Sequence, residues 1–341
     1  MTVEEARKLA KGAAVAVQKG EDPSSKRQDA RKAATVADLA ERYLEQHAAA
    51  KKKERSIAED RRILAKYVLP SMKAHRVADV TRVDVDRLHH AMRETPIMAN
   101  RVLALLSKML HLAERWGMRP DGTNPCRHVE KFKENRRERY LAGEELGRLG
   151  EVLAAVERER IVWPTLVPLI RLLILTGARL DEIRTLRWEH VDLEAGLLRL
   201  PDSKTGAKIV HLNPAARQVL AAIDRKDGNS YIIWGARAGE PLVNVKDPWA
   251  RIRVRAKLAD VRLHDLRHTF ASMALSSGAS LPLIGKLLGH TQPATTARYA
   301  HLARDAAAEL NDHVGDRLAA ALTPDPDRPK AEVVNLAVRR R

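Results

Sequence analysis

From Thr35 to Trp116 the apolar residues recur three and four apart, with charged residues between them. That period belongs to amphipathic helices. Thr35 with Asp38, Ser56 with Glu59 and Thr81 with Asp84 have the spacing of capping boxes and mark helix starts. Leu39, Tyr43 and Leu44 form one face, Ile63, Leu64, Tyr67 and Val68 a second, and Val85 and Leu88 a third. The clearest stripe runs from Asn100 to Trp116, on Val102, Leu105, Leu106, Met109, Leu110 and Ala113, with Gly117 as its stop. Four helices over residues 35–126 predict an all-α domain. Residues 1–34 read as a tail, and 127–139, basic and without apolar periodicity, as a linker.

Beyond Tyr140 the pattern is mixed. Glu144–Val156 is amphipathic, Leu166–Leu175 is apolar enough to be a buried helix, and Leu180–Leu186 is a third helical stretch. Gly196–Leu200 and Lys208–Leu212 then read as short strands joined by a turn over Pro201–Ala207. Helical spacing resumes at Pro214 and ends with a helix over about Ala303–Val314. The expectation is a multidomain, mainly α chain, in which an α+β domain with a small antiparallel sheet spans 140–315. The remainder, 316–341, reads as a C-terminal tail, either disordered or docking on a neighbouring protomer through its short apolar run, Val333–Val338.

Composition narrows the function. The chain has 341 residues, enough for two or three domains, and Lys plus Arg number 61 against 44 Asp plus Glu, a net charge of +17. Such a chain attracts polyanions, nucleic acid first. Its basic residues are spread along the chain rather than focused on one amphipathic helix, which disfavours a membrane surface. Lys51, Lys52, Lys53, Arg55, Arg61 and Arg62 in the helical domain and Lys131, Lys133, Arg136 and Arg137 in the linker are the candidate phosphate contacts. No membrane span or secretory signal is expected, and the single Cys126 fits a reducing cytosol.

The chemistry concentrates in LHDLRHTFASMALSSGASLPLIGKLLGHTQPATTARYAH, residues 263–301. His264 and Arg267 are three apart on a helix and share a face that can grip a phosphate. His290 and Tyr299 follow. A phenol is a poor nucleophile at neutral pH unless neighbours take its proton or stabilise its oxyanion. Arg179, after Thr176-Gly177-Ala178 at a helix start, offers a bidentate fork, with Asp181 or Glu182 to hold it. Lys204 lies in the turn between the two strands. A rival reading exists: His264 and His268 are four apart with Asp265 between them, a spacing also used by helical zinc sites. SKTG lacks the glycine that a phosphate loop of the Walker type needs, and no acidic cluster suggests a two-metal nuclease.

TGARLDEIRTLRWEHVD, SKTGAKIVHL, LHDLRHTFAS and LLGHTQPATTARYAH, in this order over about residues 140–302, resemble the tyrosine recombinase (phage integrase) family. The preceding helical segment is similar to that family's core-DNA-binding domain, and ARKLA…KGEDP to the end of an arm-binding domain. The resemblance implies a catalytic set of Arg179, Lys204, His264, Arg267, His290 and Tyr299, with Glu182 in support. Tyr299 would attack a DNA phosphate, giving a 3′-phosphotyrosyl link and a free 5′-hydroxyl, and a partner strand's 5′-hydroxyl would reverse the step. No ATP, metal or other cofactor would be needed. The implied partners are double-stranded DNA attachment sites, further copies of the chain in a tetramer on a Holliday junction, and DNA-bending or directionality factors. The two domains would clamp the duplex. The implied role is integration or excision of a mobile element in a bacterial or phage-infected cytoplasm. A chromosome-dimer-resolving or transposon recombinase is the alternative within the family. Outside it stand a DNA-binding protein that does not cleave and a zinc hydrolase built on HDLRH.

Overall fold

The computed structural model describes residues 2–5, 7–8, 10–11, 33–135, 137–203 and 206–322, with backbone alone at 302–310. The chain divides into two compact units, one ending at Arg136 and the other beginning at Arg137.

The first unit is helical. Helix α1 (Val36–Arg42) runs on through a π-helical stretch, Tyr43–Ala48, to Lys51. Helix α2 (Glu54–Ile63) continues likewise through Leu64–Val68 to Met72. Helices α3 (Arg82–Ala91) and α4 (Pro96–Arg115) follow. The Thr35 and Thr81 capping boxes form as their spacing predicts. The one read at Ser56 does not start a helix, because α2 already begins at Glu54. Val102, Leu106, Met109, Leu110 and Ala113 of α4 are buried at the centre, against Val36, Leu39, Tyr43, Leu64 and Val68.

The segment read as a linker packs on this unit through Glu134. Val129 is buried, and the Phe132 ring stacks on His89 with centroids 4.2 Å apart. Buried Asn100 accepts from the Phe132 N–H at 3.0 Å and donates to the Phe132 carbonyl at 2.8 Å and to Glu134 Oε1 at 2.8 Å. One amide thus satisfies both backbone groups of Phe132. Two apolar residues three apart make no legible period, and the partner that fixes them is 32 positions upstream.

In the second unit, α5 (Gly143–Arg158), α6 (Leu166–Thr176) and α7 (Leu180–Arg184) precede the sheet. Strands β1 (Val191–Asp192), β2 (Leu197–Ser203) and β3 (Gly206–His211) are antiparallel in the order β1-β2-β3. Leu197 faces His211 and Leu198 faces Val210, so Leu198, Leu200 and Val210 turn inward on alternate positions. Helices α8 (Pro214–Ala221), α9 (Lys246–Arg255), α10 (Leu263–Ser276), α11 (Leu281–Leu288) and α12 (Pro293–Thr296) follow. A 3₁₀ segment, Ala297–Leu302, leads into α13 (Ala303–Leu322), which runs eight residues past its expected end. Buried α6 packs against α8 and α10 and is the spine of this unit. The apolar run at 333–338 and most of the N-terminal tail lie outside the described residues.

Candidate active site

The site is built on two left-handed turns. Helix α6 ends at Gly177, φ +62°, where an added Cβ would fall 2.5 Å from the Phe270 ring and 2.9 Å from Leu288. Only glycine allows both that conformation and that approach. Helix α11 ends at Gly289, φ +68°, where a Cβ would meet the Lys208 side chain at 2.7 Å. These turns leave carbonyls directed at one place, and three cations converge on them. Arg267, 3% exposed on α10, donates to Gly177 O at 2.7 Å and Leu288 O at 2.8 Å. Lys208 of β3 donates to Leu288 O at 3.0 Å, and Arg179 Nη2 lies 3.4 Å from Gly289 O.

Glu182 joins two of these cations. Its Oε1 accepts from Arg179 Nη1 at 2.6 Å, and its Oε2 from the Arg179 backbone N–H at 2.9 Å and from Lys208 Nζ at 3.1 Å. Arg179 is the N-cap of α7, so the same contacts cap the helix and fix the guanidinium. His290, just past Gly289, has Nδ1 2.8 Å from Thr296 Oγ1.

Tyr299 is 5% exposed and packs with Ala271, Leu275, Ile284 and Leu288. Its hydroxyl lies 2.7 Å from His268 Nδ1. The His264 ring, in the first turn of α10, stands edge-on to His268 with centroids 4.9 Å apart. Asp265 caps this helix by accepting the Arg262 N–H at 2.8 Å, and Arg137 pairs with it at 3.5 Å.

The electrostatics of the site are one-sided. Glu182 bonds Arg179 and Lys208, and its charge also reaches Arg267. Burial would raise the Glu182 pKa, but the Arg179 N–H, Lys208 and the Arg179 guanidinium together hold it below the usual carboxylate range. Burial, with Arg267 and Arg179 nearby, pushes Lys208 down despite Glu182. Burial and then Arg179 push Arg267 down to about 10. His290 falls to about 4 through burial and then Arg267, Arg179 and Lys208. His268 falls to about 4 through burial and then His264 and Arg298. His264 keeps contact with solvent, yet loss of water on its packed side and the neighbouring Arg267 lower it too. Burial raises the Tyr299 phenol against the pull of Arg267 and Arg298. Lys208, Arg267 and the three imidazoles are all shifted toward the neutral form, which marks a pocket short of negative charge.

Of the six residues proposed from sequence, Arg179, His264, Arg267, His290 and Tyr299 stand on these adjoining elements. Lys204 lies outside the described residues. Sequence reasoning missed Lys208 and Thr296, and weighed His268 only as a zinc ligand. Lys208 had a signal: it shares the inward face of β3 with Val210. His268 Nδ1 is taken by the phenol, and among the described residues no three His, Cys, Asp or Glu side chains group as a metal site.

The proposed DNA contacts divide. Lys51, Lys53, Arg55, Arg61, Lys131 and Lys133 are exposed. Lys52 bonds Asp60 at 2.6 Å beneath the Tyr43 hydroxyl, and Arg62 pairs with Glu59 at 2.8 Å. Arg137 pairs with Asp260 and Asp265 within its own unit. Arg136 lies outside the described residues.

Residues 140–305 match the phage integrase family. The shufflon-specific DNA recombinase of Escherichia coli is 32% identical over 215 residues, 61% of this chain and 52% of that one. The tyrosine recombinase XerC of Xanthomonas axonopodis pv. citri is 32% identical over 169 residues, 46% of this chain and 55% of that one. Thus the chain spans about half the length of the curated relatives it matches. In fold it is similar to a lambda integrase tetramer bound to a Holliday junction, with a TM-score of 0.64 and 18% identity over 86% of this chain and 88% of that one. It is also similar to the Tn1549 transposon integrase in complex with a circular intermediate DNA, with a TM-score of 0.62 and 15% identity over 78% and 94%. Residues 140–305 thus form a phage integrase family domain.

Proposed function

We propose that this protein is a site-specific DNA recombinase that breaks and rejoins strands through a 3′-phosphotyrosyl intermediate. The observation that carries the reading is the anion-deficient pocket of Arg179, Arg267 and Lys208 beside a buried, hydrogen-bonded Tyr299. A DNA phosphodiester supplies the missing charge. The two guanidiniums neutralise charge developing on its non-bridging oxygens. His264 and His290 add hydrogen bonds to the same phosphate, Tyr299 attacks phosphorus, and Lys204 protonates the departing 5′-oxygen. The phosphotyrosyl ester keeps the bond energy, so rejoining needs neither ATP nor metal.

The helical unit (residues 35–126 with the packed segment that follows) adds sequence-independent backbone contacts through exposed Lys51, Lys53, Arg55, Arg61, Lys131 and Lys133. In this reading four copies assemble on two attachment sites and pass through a Holliday junction, and the reaction integrates or excises a mobile element in the cytoplasm with DNA-bending or directionality factors. The second reading is a chromosome-dimer-resolving or transposon recombinase of the same family. No helix among the described residues is long and apolar enough to cross a membrane.

The test is a library of nicked duplexes with a randomised core, incubated with protein and EDTA and then denatured. A covalent protein–DNA adduct with wild type and none with Tyr299→Phe is the expected result. An adduct that persists in Tyr299→Phe overturns the nucleophile, and one that vanishes with EDTA overturns the metal-free step. The sequences captured define the attachment site, and their place on a mobile element or at a single chromosomal locus separates the two readings.

A further inference from the structure

We infer that His268 is a further catalytic residue, the base that takes the proton from Tyr299 as the phenol attacks phosphorus. The inference rests on the recombinase reading and assigns the one proton that reading leaves without a destination. The carrying geometry is the 2.7 Å contact between His268 Nδ1 and the Tyr299 hydroxyl. In this role the phenol donates, with the His268 proton on Nε2 and the Nδ1 lone pair facing the hydroxyl. The other two imidazoles are placed for different work. His290 Nδ1 is engaged by Thr296, and His264 meets the edge of His268 from the preceding turn of α10.

The step balances. The Tyr299 O–H proton passes to His268 Nδ1, the Tyr299 O–P bond forms and the P–O5′ bond breaks. The 5′-oxygen leaves as a hydroxyl with a proton from Lys204. In the return step His268 gives its proton back to the departing phenolate.

The groups around His268 explain how a weak base becomes strong enough. Its own helix supplies His264, Asp265 and Arg267, and the 3₁₀ segment supplies Arg298. Arg137, Glu138, Arg139 and His301 line the small cavity beside it and Tyr299. In the anion-free site burial, then His264, Arg298 and Arg267, keep the ring neutral against the pull of Asp265, with its lone pair available. A docked phosphodiester offsets the cations and raises the proton affinity of the ring when the proton must move.

The experiment compares wild type, His268→Asn and His268→Ala in single-turnover cleavage of a nicked duplex from the captured library. The asparagine oxygen occupies the place of Nδ1, so it keeps the hydrogen bond and cannot take a proton. Both variants should bind the duplex as wild type does, and both should cleave about 100-fold more slowly at pH 7. Their rates should climb about tenfold per pH unit toward pH 9 as hydroxide replaces the base, while wild type stays nearly level. A duplex with sulfur at the bridging 5′ position needs no acid for its leaving group. The His268 defect should persist on it. Cleavage by His268→Asn within about threefold of wild type shows a positioning role and overturns the inference. So does a defect that the sulfur substrate erases, which would make His268 an acid. If wild type forms no adduct at all, the recombinase reading falls and takes the role of His268 with it. A normal wild-type adduct with an unimpaired His268→Asn removes this inference alone.

Discussion

The Lys208 ammonium lies 3.1 Å from Glu182 Oε2, and the other oxygen of that carboxylate holds Arg179 at 2.6 Å. Both side chains of the Lys208–Glu182 pair are nearly closed to solvent, at 6% and 5% exposure. Lys208 is therefore a positioning residue for the first arginine. Lys208→Met should lower single-turnover cleavage by about 10-fold to 100-fold with little loss of DNA affinity, and Lys208→Arg should recover part of it. Removing one partner of a buried pair also destabilises by about 3–5 kcal/mol, because a charge is left uncompensated. Adding Glu182→Gln to Lys208→Met should then reduce the loss seen in thermal unfolding. Additive losses would show that the two groups do not depend on each other.

Acid should weaken the fold over a defined window. His268 and His290 are held at about 4, below the ordinary histidine value of 6.5. The unfolded chain then binds protons on these residues before the folded one does. Stability should be full above about pH 6.5, fall as the pH drops toward about 4, and level off below it. The depressed carboxyl of Glu182 acts at the acid end, where its stabilisation is lost as the pH falls through its folded value. In a His268→Asn, His290→Gln double variant the melting temperature should fall less between pH 6.5 and 4 than in wild type. Parallel curves would refute the assignment.

Helix existence and the reactive side chains were legible because they depend on local signals. The α4 stripe, the Thr35 and Thr81 caps and the two strand runs each carry a period or a cap within a few residues. Contacts made across the chain were not. Arg267 binds Gly177 across 90 positions, and Lys208 binds Leu288 across 80, so neither neighbour can be read from spacing. The charge surplus was visible, but its distribution was not. Lys52 looks like its neighbours Lys51 and Lys53 until Asp60 and Tyr43 are folded against it. His268 was visible as a histidine four residues after His264, and the sequence offered zinc as one explanation because Tyr299 is 31 positions away.

Asn100 fixes the segment that follows the helical unit. Asn100→Ala removes the partners of both the Phe132 N–H and its carbonyl. The loss should be about 2 kcal/mol in chemical unfolding, with faster proteolytic cutting between 127 and 135. Asn100→Asp should be no better. It keeps an acceptor for the N–H but sets a carboxylate against the Phe132 carbonyl and Glu134 Oε1. Unchanged cutting in both variants would show that Val129 and Phe132 hold the segment without the amide.

Gly177 and Gly289 have nearly the same left-handed φ but face different neighbours, so alanine at each separates backbone strain from close approach. Each substitution should lose about 1 kcal/mol from the conformation alone. At Gly177 the new Cβ also enters the Phe270 ring at 2.5 Å and Leu288 at 2.9 Å, both packed side chains with little room to retreat. Gly177→Ala should therefore unfold at markedly lower denaturant concentration than Gly289→Ala. At Gly289 the obstacle is Lys208, met at 2.7 Å, whose flexible chain can swing away. Swinging away breaks its contacts with Glu182 and Leu288 O, so the fold survives while Arg179 loses its support. Gly289→Ala should thus lose no more stability than Lys208→Met does beyond the strain of the turn, and cleave DNA nearly as slowly as Lys208→Met. Combining the two substitutions should cost little further activity, because the glycine acts through the lysine. If Gly289→Ala cleaves at the wild-type rate, the turn carries no influence on the guanidinium.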